Sequence, residues 1–417
     1  MGQAKKRNKW LTFAVICMTT GIITEVPYLR WALYEPFREA LGQTNTQFGM
    51  SMSLYGTLAA ILYIPGGWLA DRISHKVLFT SSSIGCGLLG IWLSTMPSFE
   101  ATMLIHGLLA VTNIGMFWPA MTKAISLLDQ NDGQGKMFGL FEGTRGVFVL
   151  LVWLLLMQVF ERFGGISSVI FTLSAASILC GVVSFFLMES NNDASMTSDA
   201  SIMKDMKAAI KFPGTWLCGI SIFMIYTTYA CSSYMQAYGQ TILGLSAVAA
   251  GYVGILRKDV IRLGAAPIAG FLSKAVGGKS AVVIAGFDIL CIAAMVVLLG
   301  LPITPAFMMI SIVVTLVISF GVNAMRGLYY AIIGEAGTPL KIYGAVSGLA
   351  MFLGFMPDAF NATLCGYLLD KFPGAAGYRY IFLFMLACFV VCFVVLIALI
   401  KFTKKNRMLA EAAKKEQ

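Results

Sequence analysis

Apolar runs of about twenty residues recur from one end of the chain to the other, and that is the length an α-helix needs to cross the hydrocarbon core of a bilayer. No other feature limits the fold so strongly. Inside a bilayer every backbone N–H and C=O must find its partner within the protein, so such runs fold as spanning helices. Of all residues, 58% are hydrophobic and 12% are charged, whereas soluble domains carry about 25% charged residues. The expected class is therefore an all-α integral membrane protein, with the lipid bilayer as its first partner. A formal net charge of +10 would suit nucleic acid. The basic residues, however, sit in short loops and tails, the membrane pattern, and no nucleic-acid partner is expected.

Twelve spans are expected, at 10–34, 46–70, 77–96, 101–127, 137–160, 166–188, 214–239, 246–273, 280–300, 305–333, 342–369 and 378–402. They divide six and six around a polar stretch. The expected organisation is an N-terminal half at 1–188, a central cytoplasmic loop at 189–213, and a C-terminal half at 214–417 with a basic tail. Placing the N-terminus inside gathers Lys5, Lys6, Arg7, Arg72, Lys76, Lys136, Lys204, Lys341 and the tail cations on one side. Only Arg38, Arg162, Lys371 and Arg379 remain outside. Both termini are thus expected in the cytoplasm of a plasma membrane, or of the inner membrane in a bacterium. The first apolar run lacks a small-residue cleavage site and reads as a span rather than a signal peptide.

The nine cysteines show no CxxC spacing and the two histidines stand apart, so no disulfide framework, metal site or cofactor is expected. No nucleophile–base constellation or Walker-type loop is present, so no catalytic residue is expected and the chain does not read as an enzyme.

Within the spans lie Arg30, Lys123, Arg145, Arg257, Lys258, Arg262 and Arg326. A cation at the centre of a spanning helix costs about 2.5–3.5 kcal/mol on insertion scales, which makes each a candidate for function. The densest group is in span 8, where residues 254–263 read GILRKDVIRL. At about 100° per residue, Lys258, Asp259 and Arg262 share one side and Arg257 points elsewhere. Two readings stand: these charges face a solute, or they lock helices together as ion pairs. Glu142 and Arg145, three apart in span 5, read as a local pair or as charges that face span 8. Glu25 and Arg30 approach the outer part of span 1 among Tyr28 and Trp31, and Asp358 follows Pro357 in span 11. The aromatics of span 7, Tyr226 and Tyr229 among them, with Gln236, read either as packing or as a seat for a polar organic body.

Between spans 2 and 3 stands Gly67-Trp68-Leu69-Ala70-Asp71-Arg72-Ile73-Ser74-His75-Lys76, and Gly270 opens a second copy 203 residues later. The first copy resembles the loop signature of the major facilitator superfamily, G-x-L-A-D-R-x-G-R-K, with Ser74 and His75 in its G-R positions. In the second copy Lys274 and Ala275 replace the Asp and Arg. The resemblance implies two pseudo-symmetric six-helix halves around a cavity lined by spans 1, 4, 7 and 10, working by alternating access. It also implies a gate built on Gly67, Asp71, Arg72 and Lys76, with Asp71 accepting from a helix N-terminus or an arginine. The same shift of 203 carries Lys123 onto Arg326 and Phe117 onto Phe320. Such a pair of cations suits an anion; equally, both lie near cytoplasmic helix ends, where they would snorkel.

Arg30 late in span 1, with Gly115-x-x-Trp118-Pro119 in span 4, is similar to the organophosphate:phosphate antiporter branch. The arginine which that branch has in span 7 is absent from Ile225-Tyr226-Thr227-Thr228-Tyr229. The resemblance implies secondary active transport of a small organic anion (a phosphate, carboxylate or sulfonate) by a monomer, through proton symport or exchange for a counter-anion. Expected substrate-binding residues are Arg30, Lys123, Arg257, Lys258, Arg262 and Arg326, with Tyr28, Trp31, Tyr229 and Gln236. Glu25, Glu142, Arg145, Asp259 and Asp358 would pair with these cations or carry a proton. The alternatives are a proton-coupled carrier of neutral or cationic compounds and a transporter-shaped sensor.

Overall fold

Every one of the twelve expected spans has a helical counterpart in the computed structural model of the chain. It describes residues 9–128, 134–188, 199–339 and 342–415. Lys5, Lys6, Arg7, Lys341 and residues 189–198 of the central loop lie outside that set, as do the side chains of Asp71 and Lys136. Among the described residues there is no strand.

Among the described residues, eight helical segments are long and apolar enough to cross a bilayer. Spans 1, 2, 8 and 11 complete the twelve. Span 2 is one unbroken helix, Asn45–Arg72, whose first turns are polar; it opens on a capping box in which Thr44 and Gln47 satisfy each other's backbone N–H groups. Spans 1, 8 and 11 are interrupted, and the sequence explains most of the interruptions. Pro27 has no N–H to give to Ile23, and the first helix ends there, at Lys9–Ile23. Pro357 likewise closes the helix Tyr343–Phe355 into a short 3-10 turn, Met356–Ala359, before Asn361–Lys371 resumes.

Span 4 shows the same cause with a subtler outcome. Pro119 cannot donate to the Gly115 carbonyl, and the helix widens into a π-turn over Val111–Phe117, with Trp118 N–H donating to Asn113. Gly66 of span 2 lies against that carbonyl: a Cβ on Gly66 would come within 2.7 Å of it. Spans 3 (His75–Ser94), 6 (Ile166–Leu187), 9 (Ser280–Gly300) and 12 (Ala375–Lys415) contain no proline and run without a break. Interruptions fall on spans 1, 4, 7, 8 and 11, and span 10 breaks near its end, where Met308–Leu328 gives way at Tyr329-Tyr330 to Ala331–Glu335.

The chain gathers into two compact units, Met1–Met196 with Ser246–Ile255, and Thr197–Leu245 with Leu256–Gln417. In the first unit, spans 3 and 6 meet through small residues; a Cβ on Gly87 would lie 2.7 Å from the Ser174 carbonyl. Such small faces allow close helix packing where lipid removes the hydrophobic drive. The N-terminal end of span 8 also belongs to this unit, and Gln158 Nε2 donates to the Tyr252 hydroxyl at 2.9 Å. In the second unit span 9 begins under Glu335, whose carboxylate accepts the Ser280 N–H at 2.8 Å. Nearby, Asn406 of span 12 donates to the Ala336 carbonyl at 3.0 Å.

Candidate functional site

Span 7 is broken without a proline. Thr227, Thr228, Ser232 and Ser233 each turn a hydroxyl back to a carbonyl three or four residues earlier, at 2.7 to 2.9 Å. Side chains that compete for the helix's own carbonyls weaken it locally, and Pro213–Cys231 gives way to a second helix, Tyr234–Thr241. The last turns before the break carry Tyr226 and Tyr229. Tyr226 donates its phenol O–H to Asp358 Oδ2 at 2.7 Å, joining span 7 to the 3-10 turn in span 11. Phe355 stands edge-on to Tyr226 at 4.7 Å between ring centres.

Arg326, near the end of span 10, completes the cluster. Its guanidinium lies over the Tyr229 ring, 4.0 Å from the centre. Tyr329 and Tyr330, three and four residues on, form the turn that follows its helix within electrostatic reach of Arg326, and their hydroxyls are 3.3 Å apart. Asp358 lies within electrostatic reach of Arg326, yet among the described residues the ion pairs within 4.0 Å include neither of the two. Arg326 Nη1 has no hydrogen-bond partner. The arrangement holds one cation and one acid side by side, each engaged by a tyrosine and not by the other. An arginine edge left open in this way suits a bidentate oxyanion.

Arg257 has a different setting. It sits in a π-turn, Leu256–Val260, and is 5% exposed. Its Nε donates to the Ser319 hydroxyl of span 10 at 2.9 Å, and a terminal nitrogen donates to the Ser232 carbonyl at the break in span 7. It thereby adds a second, charged donor to a carbonyl that also accepts the Met235 N–H at 3.1 Å, at the end where the helix dipole favours a cation. Asp259 is buried, while Lys258 and Arg262 are half-buried and engaged in interactions of their own.

In the first unit, Glu25 is 5% exposed and accepts the indole N–H of Trp153 at 2.8 Å, joining span 1 to span 5. Arg30 is buried between the rings of Tyr34 and Phe48, 5.2 and 5.1 Å from their centres. Lys123 reaches the C-terminal end of span 2 and donates to the Ala70 carbonyl at 2.8 Å, inside the motif at 67–76. There Arg72 stacks on Trp68 at 4.0 Å and Lys76 on Phe185 at 4.6 Å. A Cβ on Gly67 would meet nothing within 4 Å. Glu142 and Arg145 pair at 2.9 Å. Tyr28 packs edge-on against Tyr55 at 5.8 Å, Trp31 is half-buried, and Gln236 is buried with neither amide atom hydrogen-bonded.

Of the expected site residues, Tyr229, Arg326 and Asp358 therefore come together. Lys123 and Arg326, which the repeat superposes, have unrelated partners. Trp153, Ser319, Tyr329, Tyr330 and Phe355 escape notice in the sequence; only the +3 and +4 spacing of the two tyrosines from Arg326 is a local signal. Among the described residues no group of three or more His, Cys, Asp or Glu side chains gathers as a metal site.

The family model described as Major Facilitator Superfamily matches residues 10–360. The chain is 34% identical to inner membrane protein YqcE of Escherichia coli (strain K12) over 397 residues, 92% of this chain and 93% of that one. It is 29% identical to inner membrane protein YihN of the same organism over 419 residues, covering 97% and 99%. Among solved structures, the inward-facing, unoccupied form of a bacterial homolog of the human lysosomal transporter Spinster superposes with a TM-score of 0.75. Identity there is 13%, with 97% of this chain and 99% of that chain covered. The nucleoside transporter NupG gives a TM-score of 0.74 at 13% identity, covering 94% and 99%.

Proposed function

The chain belongs to the Major Facilitator Superfamily, and from that premise we propose that it is a secondary active transporter of a small organic anion. Arg326 is the residue that binds the anionic group, and the bearer of a coupled proton is Asp358. The observation that carries this reading is the state of Arg326: stacked on Tyr229, out of any ion pair, with Nη1 unused. A buried donor without an acceptor is costly, and an arriving carboxylate, phosphate or sulfonate removes that cost. Arg257 serves the same path indirectly by holding the break of span 7. Both termini face the cytoplasm, and the membrane is the bacterial inner membrane named for the two E. coli relatives.

Uptake into proteoliposomes under an imposed proton gradient tests the proposal, with labelled organic phosphates, carboxylates and sulfonates presented in turn. Uptake of at least one of these, lost in Arg326→Gln, is the expected result. A carrier of neutral or cationic compounds would instead keep its transport in Arg326→Gln and lose it in Asp358→Asn.

A further inference from the structure

We propose that the ligand of the Arg326 cluster is a small anion that carries a hydrogen-bond donor, hydroxyl or ammonium, beside its charge, with Asp358 accepting from that donor. This rests on the anion reading above and narrows it.

The inference comes from how the two charges are held apart. An arginine and an aspartate within electrostatic reach gain most by closing into a bidentate pair. Here no ion pair forms between them. Asp358 is tied to span 7 by the Tyr226 phenol at 2.7 Å, and the Arg326 guanidinium lies over the Tyr229 ring, 4.0 Å from its centre. An ionised carboxylate has about four lone-pair positions, and one phenol uses one of them. The site therefore offers donors on one side and acceptors on the other.

A ligand with only acceptor oxygens satisfies Arg326 but, whenever Asp358 has released its proton, brings its charge towards a like charge that it cannot hydrogen-bond. A ligand with a donor next to its anionic group uses both. The surroundings fit such a body. Tyr226 and Tyr229 present tilted ring faces 5.9 Å apart, suited to C–H surfaces or to an ammonium, and the Tyr329 and Tyr330 hydroxyls add further polar contacts. Hydroxylated anions and zwitterions share this chemistry, and the test separates them.

Ligand-induced thermal stabilisation of the purified full-length protein measures binding to matched pairs. Glycerol 3-phosphate is compared with propyl phosphate, and 4-aminobutyrate with butyrate. The donor-bearing member of one pair is expected to bind roughly ten- to a hundred-fold more tightly, as hydrogen bonds to charged groups imply. Preference in the first pair identifies a hydroxylated anion, and preference in the second a zwitterion. Asp358→Asn should remove the preference. Tyr226→Phe, which leaves the carboxylate in place, should retain it and so controls for misfolding of the first variant. Equal binding within both pairs, or a preference that survives Asp358→Asn, overturns the inference while Arg326-dependent anion uptake leaves the transport reading standing. If the wild-type protein neither binds nor takes up any anion, both fall.

Discussion

At the scale of single residues, the aromatic–carboxylate bonds are the most exposed to test. Tyr226→Phe deletes the phenol that holds Asp358 and should cost about 1.5–3 kcal/mol, the range for hydrogen bonds to charged groups, read as a lower melting temperature in detergent. Trp153→Phe should do the same through Glu25. Arg257→Lys is a sharper case, because an ammonium is a point donor and cannot span the Ser319 hydroxyl and the Ser232 carbonyl as the guanidinium fork does. If Arg257→Lys were as stable and as active as the parent, the break in span 7 would not depend on that fork. Legibility at this scale was uneven. Arg326 and Asp358 stood out because charges are rare in apolar runs, and Tyr329 and Tyr330 follow Arg326 at helical spacing. Tyr226 meets Asp358 across 132 residues of chain, and no local pattern reports a contact of that range.

At the scale of the helix, the twelve spans were legible because apolar length and turn residues are local properties. Proline marks the breaks of spans 1 and 11 and the π-turn of span 4. Span 7 breaks through four hydroxyls, whose effect depends on where their side chains turn, and the π-turn of span 8 has no sequence marker that we recognise. That π-turn holds Lys258 and Asp259 and closes i to i+5, so the chain there advances by less than 100° per residue. The contact between spans 2 and 4 separates two neighbouring glycines. Gly66→Ala places a methyl 2.7 Å from the Gly115 carbonyl and 3.1 Å from the Pro119 ring, and overpacking of this kind should cost about 1–3 kcal/mol. Gly67→Ala meets nothing within 4 Å and should be neutral or stabilising, up to about 1 kcal/mol from helix propensity. Thermal melts of the two variants side by side decide whether the motif's first glycine or its neighbour is the packing residue.

At the scale of the whole chain, all nine cysteines are free and buried. A membrane-impermeant maleimide should therefore leave the native protein unlabelled and react only after denaturation, and reductant should not change its gel mobility. A fluorescent protein fused to the C-terminus should fluoresce in cells, whereas alkaline phosphatase fused there should be inactive; active phosphatase would reverse the proposed orientation. Each unit also bridges its first and fifth spans with one bond between an aromatic donor and a carboxylate, but the contributors are exchanged. In the first unit the acid, Glu25, is on the first span and the aromatic, Trp153, on the fifth; in the second, Tyr226 is on the first and Asp358 on the fifth. The exchange has a chemical consequence. An indole nitrogen donates and has no lone pair to receive, whereas a phenol oxygen does both. The bond at Glu25 is therefore a terminus on its indole side, whereas the phenol at Asp358 has a lone pair with which to receive another donor: two bridges alike in position, only one of which has the chemistry of a relay.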